Sequence, residues 1–370
     1  MKRVLITGGA GFVGAHLAKE LLKAGHSVRV LDNLCSQVHG PSQQRPSYLP
    51  ADAELLAGDV RDSNAVERSL RNIDAVYHLA ARVGVGQSMY EIAEYTSVNN
   101  VGTAVLLEAL IKSKVERVVV ASSMSIYGEG LYRNEAGKTY HNIERSLDQL
   151  RRHEWEPRGE EGEILSPCAT PETKQACCNS VYALSKFDQE RMFLTVGRAY
   201  NIPVVALRFF NIYGPYQALS NPYTGVLAIF ASRLLNRKAP LVNEDGAQQR
   251  DFVSVYDVAR ACRLAMEVEQ AAGNVFNVGS GTRCSIVELA LLAAAALGRN
   301  IEPEVTGKYR VGDIRHCFAD LTRARAVLGY QPQVTLEAGL RDLAAWLDGQ
   351  ISYDRTAECF QELTSRGLMV

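Results

Sequence analysis

No apolar run in this 370-residue chain approaches the length of a bilayer span. The most apolar stretch, Glu288 to Gly298, is about half of the roughly 20 residues a span needs and reads as a buried helix. Net charge is also nearly absent, with 40 basic residues against 41 acidic ones. No global field therefore draws the chain onto nucleic acid or an anionic membrane, and any anion binding has to be local. Paired cysteine motifs are missing as well. The eight cysteines (Cys35, Cys168, Cys177, Cys178, Cys262, Cys284, Cys317 and Cys359) include no C-x-x-C, which fits free thiols in a reducing compartment. Cys168, Cys177 and Cys178 with His153 match the spacing of no common zinc site, so no metal is expected. The first residues have neither the apolar core nor the small-residue cleavage site of a signal peptide, and the expected location is the cytoplasm. No fixed-period repeat is visible.

What is there is apolar material for a large core, 47% of the residues, arranged in short β-rich runs alternating with helix-length segments. RVLITG, SVRVLD, AELLAGD, DAVYHLA, ERVVVAS and PVVALRF alternate in this way, which predicts an α/β fold with a doubly wound parallel sheet. Such sheets bind ligands beyond the carboxyl ends of their strands. From about Pro215 the strands shorten (PLV, DFVSV, NVFNVG) and the helices change character, which predicts a smaller mixed α/β substrate domain. The expected division is 1–214 for the first domain, 215–348 for the second, with parts of the later chain returning to the first, and 349–370 as a tail. A charged, Gly- and Pro-rich stretch at about 131–179 reads as a surface excursion or lid.

Between the first strand and the first helix lies Gly8-Gly9-Ala10-Gly11-Phe12-Val13-Gly14. Glycines at 8, 11 and 14 let backbone N–H groups approach a pyrophosphate, which the positive end of the helix stabilises. Asp32 follows at the end of the second strand, with Asn33 beside it. A carboxylate there accepts hydrogen bonds from an adenosine ribose and repels a 2′-phosphate, favouring NAD over NADP. Asp59 and Val60 are placed to bracket the adenine, and Leu79, Ala80, Ala81 and Asn99 to line the groove.

Tyr182 and Lys186 are four apart in a helical stretch and share one face. An ammonium beside a phenol favours the phenolate, so Tyr182 is expected below its usual pKa of about 10 and usable as a base. Ser123 ends the fifth strand, where it can hydrogen-bond the same substrate oxygen. It is no acyl nucleophile, because the G-x-S-x-G elbow is missing.

With these motifs in place, the chain resembles the extended short-chain dehydrogenases/reductases, and within them the nucleotide-sugar epimerases typified by UDP-galactose 4-epimerase. The likeness runs from residue 1 to about 348. It implies a Rossmann fold, NAD as cofactor, and Ser123, Tyr182 and Lys186 as the catalytic set, with Phe209 also at the cofactor. It puts nucleotide-diphosphate contacts on Asn211 in RFFNIYGP, Arg250 in QQRDFV, and Arg310 with Asp313 in YRVGDIRH. It also puts Cys317 beside the hexose as a determinant of pocket size. Two helices, about Thr96–Lys112 and Val181–Tyr200, are implied as a homodimer interface.

The strand-five motif separates the reactions of this family. Here it reads Ser123-Met124-Ser125-Ile126-Tyr127-Gly128, whereas the 4,6-dehydratases carry Thr-Asp-Glu-Val-Tyr-Gly. Without the two acids nothing manages water loss, and Ser125 is left to contact the sugar. The implied activity is C4 epimerisation of a UDP- or dTDP-linked sugar. Dehydration, reduction, and sugar-nucleotide binding without turnover are the alternatives. Ser123 and Tyr182 are 59 residues apart, more than is usual in the family, the surplus being the charged insertion. That insertion, with FFNIYGPYQALSNPYTGVLAIF, resembles the dTDP-L-rhamnose 4-epimerase type.

Overall fold

The computed structural model describes residues 1–41 and 43–370. Seven strands form one parallel sheet: β1 (Arg3–Thr7), β2 (Ser27–Asp32), β3 (Glu54–Ala57), β4 (Ala75–His78), β5 (Arg117–Ser123), β6 (Val204–Phe209) and β7 (Val275–Val278). Their order is β7-β6-β5-β4-β1-β2-β3, and every pair is parallel. The central strands are buried along their whole length, as continuous apolar runs in a parallel sheet must be. The edge strand β3 is only half-buried. The order reverses between β1 and β4, which opens a crevice at their carboxyl ends.

Helices cover both faces. On one lie α1 (Phe12–Lys23) and, from far along the chain, α5 (Val255–Glu267). On the other lie α2 (Gly102–Ile111) and α3 (Val181–Tyr200). Several of the long helices start at a side-chain cap. The Ser180 hydroxyl accepts from the Ala183 N–H to start α3, which stops at Asn201 in the left-handed region. Ser254 caps α5 in the same way.

A second core gathers α4 (Val226–Leu235), α6 (Ile286–Ala296) and α7 (Leu336–Leu347). α6 opens on a capping box between Ser285 and Glu288. Two features depart from the sequence reading. β7, the NVFNVG run assigned to the smaller domain, pairs with β6 and completes the large sheet. Phe276 and Val278 on one face and Asn277 on the other are fully buried, so both faces of this edge strand are covered. The insertion is not a loose excursion. Its strands Leu131–Arg133, Thr139–Tyr140 and Ser166–Cys168 form a small antiparallel sheet, and Trp155 packs against Tyr309. The tail carries a final helix, α8 (Thr356–Ser365).

Candidate active site

A continuous cleft of about 660 Å³ runs along the carboxyl ends of the strands and out between the two cores. Its cofactor end is set by backbone geometry. Gly8 has φ +69°, and a Cβ there would lie 2.7 Å from the Ala80 nitrogen. A Cβ on Gly14 would lie 2.5 Å from the Gly9 Cα, so only glycine lets α1 start this close to the turn. Both positions leave the cradle that a pyrophosphate requires, with Gly11, Phe12 and Val13 lining the cleft beside them. Asp32 is held by two backbone donors, Ala10 N–H at 3.0 Å and Leu34 N–H at 2.9 Å, which fixes its carboxylate at the end of β2. Asn33, Val60, Leu79, Ala80, Ala81 and Phe209 line the same end. These residues fit a dinucleotide.

Two residues expected in that wall stand behind it. Asp59 is taken up by Arg61 and Asn33, and the Arg61 hydrogen bonds hold its carboxyl down at about 2. Asn99 is completely buried, where a π-turn at Ser97–Val101 interrupts the helix leading into α2. Its amide binds both the N–H and the carbonyl of Arg82 and donates to the Ser185 hydroxyl, so it shapes the loop after β4.

Ser123, Tyr182 and Lys186 meet in mid-cleft. The Ser123 Oγ accepts from the Ser125 hydroxyl at 2.8 Å. The Tyr182 N–H donates to Ser88 Oγ at 3.0 Å, which ties the start of α3 to the loop after β4. α3 is locked from behind by Glu190, which binds Arg208 of β6 through both oxygens and accepts from Ser122. The expected lowering of the Tyr182 pKa is not found: burial pushes it above the usual value, with the Ser123 hydroxyl pulling the other way. Burial also brings Lys186 down to about 7, and its Nζ donates to Gln189, so in the protein alone the lysine does not offset the desolvation of the phenol.

The substrate end carries the arginines. Arg310 Nη2 lies 3.1 Å from Asp313, and Arg250 Nη2 lies 3.8 Å from it. Burial opposes ionisation of Asp313, but the two guanidiniums outweigh it and hold the carboxyl below the usual range. Asn211 Oδ1, with Asn243 Oδ1, Gln248 Oε1 and Arg310 Nε, is buried without a hydrogen-bond partner among the described residues, and all four residues line the cleft. Unspent buried donors and acceptors cost free energy unless something satisfies them, and a polar ligand would.

Cys317 is a correction. It is 1% exposed, its thiol faces Thr170 at 3.8 Å within the main core, and it does not line the cleft. The short strand His316–Cys317 pairs with Gln249–Arg250 and turns the thiol inward. The sequence reading also missed a wall of the cleft. Phe360, Leu363 and Met369 of the tail line it, and the final residues pair antiparallel with Tyr309–Val311 on either side of Arg310. The insertion reaches the same segment: Arg145 donates to Glu244 at 2.9 Å and to the Asp313 carbonyl at 3.1 Å. Arg315 next to it is 1% exposed and binds Glu244, Asp245 and Glu156. Among the described residues no group of histidines, cysteines and carboxylates is placed to hold a metal ion. No helix among them is long and apolar enough to cross a membrane.

The model of the NAD dependent epimerase/dehydratase family matches residues 4–145 and 159–279. A dTDP-L-rhamnose 4-epimerase of Burkholderia thailandensis is 37% identical over 94% of this chain and 95% of its own length. A UDP-N-acetyl-alpha-D-glucosaminuronate decarboxylase of Bacillus cytotoxicus is 31% identical over 93% and 97%, so overall likeness alone does not select the reaction. Among solved structures, the UDP-glucose 4-epimerase of Thermus thermophilus in complex with NAD superposes with a TM-score of 0.74 at 30% identity, covering 94% of this chain and 100% of that one. The Rossmann fold, the NAD cofactor and the enzymatic character expected from the sequence all stand, and this chain belongs to the NAD dependent epimerase/dehydratase family.

Proposed function

We propose that this protein inverts C4 of a nucleotide-linked sugar carrying UDP or dTDP, with the dTDP-L-rhamnose type as the favoured subtype. One observation carries the reading: Ser123 and Ser125 face Tyr182 and Lys186 with no carboxylate at positions 124 or 125. Protons are thus handled at a single hydroxyl, and no acid is present to expel water from C5 and C6. The 37% identity to a dTDP-L-rhamnose 4-epimerase supports the subtype.

When bound, NAD supplies the redox chemistry at C4 and, oxidised, a positive charge beside the phenol. Tyr182 takes the C4 hydroxyl proton and later returns it. Ser123 hydrogen-bonds the same oxygen and holds it in line with the phenol. Lys186 favours the phenolate over the phenol. Arg250 and Arg310 grip the diphosphate with planar donors, Asp313 aligns both, and Asn211 adds an amide contact. Because the grip falls on the diphosphate, the 4-keto sugar is free to turn and present its other face.

The working division is a cofactor unit of residues 1–214 joined by α5 and β7, a substrate unit from the rest of 215–348, and a tail that closes the substrate end. The homodimer reading rests on exposed apolar side chains: Ile92, Val101 and Ile111 before and within α2, and Leu184 and Tyr200 on α3. The cytoplasmic reading rests on eight free cysteines.

The test is a panel of UDP-, dTDP-, GDP- and CDP-sugars followed by NMR, with mass spectrometry of the nucleotide released on denaturation. C4 inversion of a UDP- or dTDP-sugar together with released NAD supports the reading. Loss of water, loss of carbon dioxide, or net consumption of NADH overturns it.

A further inference from the structure

Behind Lys186 lies a chain of buried polar side chains that none of these steps uses. Lys186 Nζ donates to Gln189 Oε1 at 2.6 Å, its only acceptor among the described residues. Gln189 Nε2 lies 2.8 Å from Thr103 Oγ1 and 3.1 Å from His78 Nε2. His78 Nδ1 lies 2.8 Å from the hydroxyl of Thr7, the residue before the glycine turn. Gln189, Thr103 and Thr7 are completely buried, His78 is 1% exposed and Lys186 is 3% exposed.

The ammonium sets the donor and acceptor roles along this chain, in which the Thr103 hydroxyl also lies 3.1 Å from His78 Nε2. An ammonium only donates, so the Gln189 oxygen faces Lys186 and its NH₂ faces Thr103 and His78. That NH₂ also only donates, so His78 Nε2 accepts and the imidazole proton sits on Nδ1, against Thr7 Oγ1. A protonated His78 would set N–H against N–H. Burial, reinforced by Lys186, keeps His78 neutral by bringing its pKa down to about 3.

The titratable and charged groups facing Lys186 are Tyr182 and Glu190 of α3 and His78 of β4, with Arg208 of β6 beyond Glu190. Glu190 is occupied by Arg208 and Ser122, and His78 carries no charge. That leaves one direct support for the buried ammonium.

We propose that Gln189 is a positioning residue for the reaction: its side-chain carbonyl fixes the Lys186 ammonium in place and keeps it charged, while His78, Thr103 and Thr7 keep that carbonyl aimed. The inference rests on Lys186 acting as the cation that supports Tyr182 and the cofactor. A small shift of the amide would let the ammonium swing or lose its proton, and a four-residue chain anchored at the end of β1 prevents this.

The test uses the NAD-loaded protein and two readouts. One is the pH profile of kcat on whichever sugar is turned over. The other is the rate at which bound NAD exchanges with isotopically labelled NAD, followed by mass spectrometry between pH 6 and 10, which needs no sugar. Gln189→Leu removes the acceptor, so the ammonium is lost at lower pH. The alkaline limb of kcat and the onset of faster NAD exchange should both move down by about one pH unit, a tenfold change in the protonated fraction at a fixed alkaline pH. Gln189→Glu supplies a charged acceptor and should move both upward. Opposite shifts are a signature that a merely structural residue does not give. Unmoved limbs, or shifts of the same sign in both variants, overturn the proposal. If the panel shows no turnover, the epimerase reading fails while NAD exchange still decides this one. Should neither variant fold, Thr103→Val, which removes a partner of the amide at nearly constant volume, is read on the same two limbs, and unmoved limbs again count against the proposal.

Discussion

The two ends of the cleft are built by different means. At the cofactor end the determinants are a turn, a strand end and a helix start within residues 8–32, and their positions follow from backbone geometry. The substrate end is assembled from four distant pieces: strand Gln249–Arg250, the segment around Arg310, the insertion through Arg145, and the tail through Phe360, Leu363 and Met369. A local motif can set the first. Only the folded chain sets the second, so changes at the two ends should separate into cofactor effects and substrate effects.

The largest expected effect lies where the ends meet. Tyr182→Phe removes the proton acceptor while leaving the ring, and turnover should fall by at least about 100-fold, the lower range of general acid–base catalysis, with NAD still bound. A variant that keeps a tenth of wild-type turnover contradicts the role. Ending the chain at Asp348 should raise KM for the nucleotide sugar by about tenfold, since the truncation uncovers Arg310 and removes a wall of the cleft (about 1.4 kcal/mol of binding). NAD affinity measured by calorimetry should not change, and an equal loss at both ends would break the comparison.

Arg145→Met cuts the tie between the insertion and the Asp313 carbonyl and leaves Glu244 with one buried partner fewer. It should cost about 3 kcal/mol in urea unfolding, as breaking a buried ion pair does, and raise KM several-fold with kcat little changed. An unaltered KM would make the insertion a bystander to substrate binding. Cys317→Tyr should destabilise by about 1–3 kcal/mol through overpacking and lower activity alike on small and large sugars. Selective loss of bulky sugars would restore the gate role. A separate effect, common to both ends of the cleft, is acid sensitivity. Burial holds His78 near 3 and His16 near 4, below the 6.5 at which they protonate when unfolded. The unfolded chain therefore takes up protons first, and stability present above 6.5 is lost as pH falls through that window. Urea midpoints at pH 7 and 5 check the sign, which a higher midpoint at pH 5 would reverse.

Much of this was legible in the sequence for the same reason that the cofactor end is local. Six of the seven strands follow directly from the apolar runs, the helical stretch that carries Tyr182 and Lys186 is α3, and Gly8, Gly14 and Asp32 stand where strand ends put them. β7 was misplaced because a four-residue apolar strand reads the same in either sheet. Cys317 was misplaced because a resemblance fixes position along the chain, whereas the direction of its side chain depends on pairing with Gln249–Arg250. Lys186 next to Tyr182 suggested an activated phenol, but the desolvation of both groups and the acceptor at Gln189 are tertiary facts. The tail has no motif, and its place against Arg310 comes from backbone pairing at the last residues.

The central claim is that one hydroxyl-bearing carbon is oxidised and reduced with no other proton exchanged. NMR of the reaction run in D₂O tests it most directly. The account predicts a C4 epimer that keeps its protons at C3, C4 and C5, because the hydrogen removed from C4 is the one returned. Deuterium at C5 or C6, or a product lacking the elements of water, would contradict it.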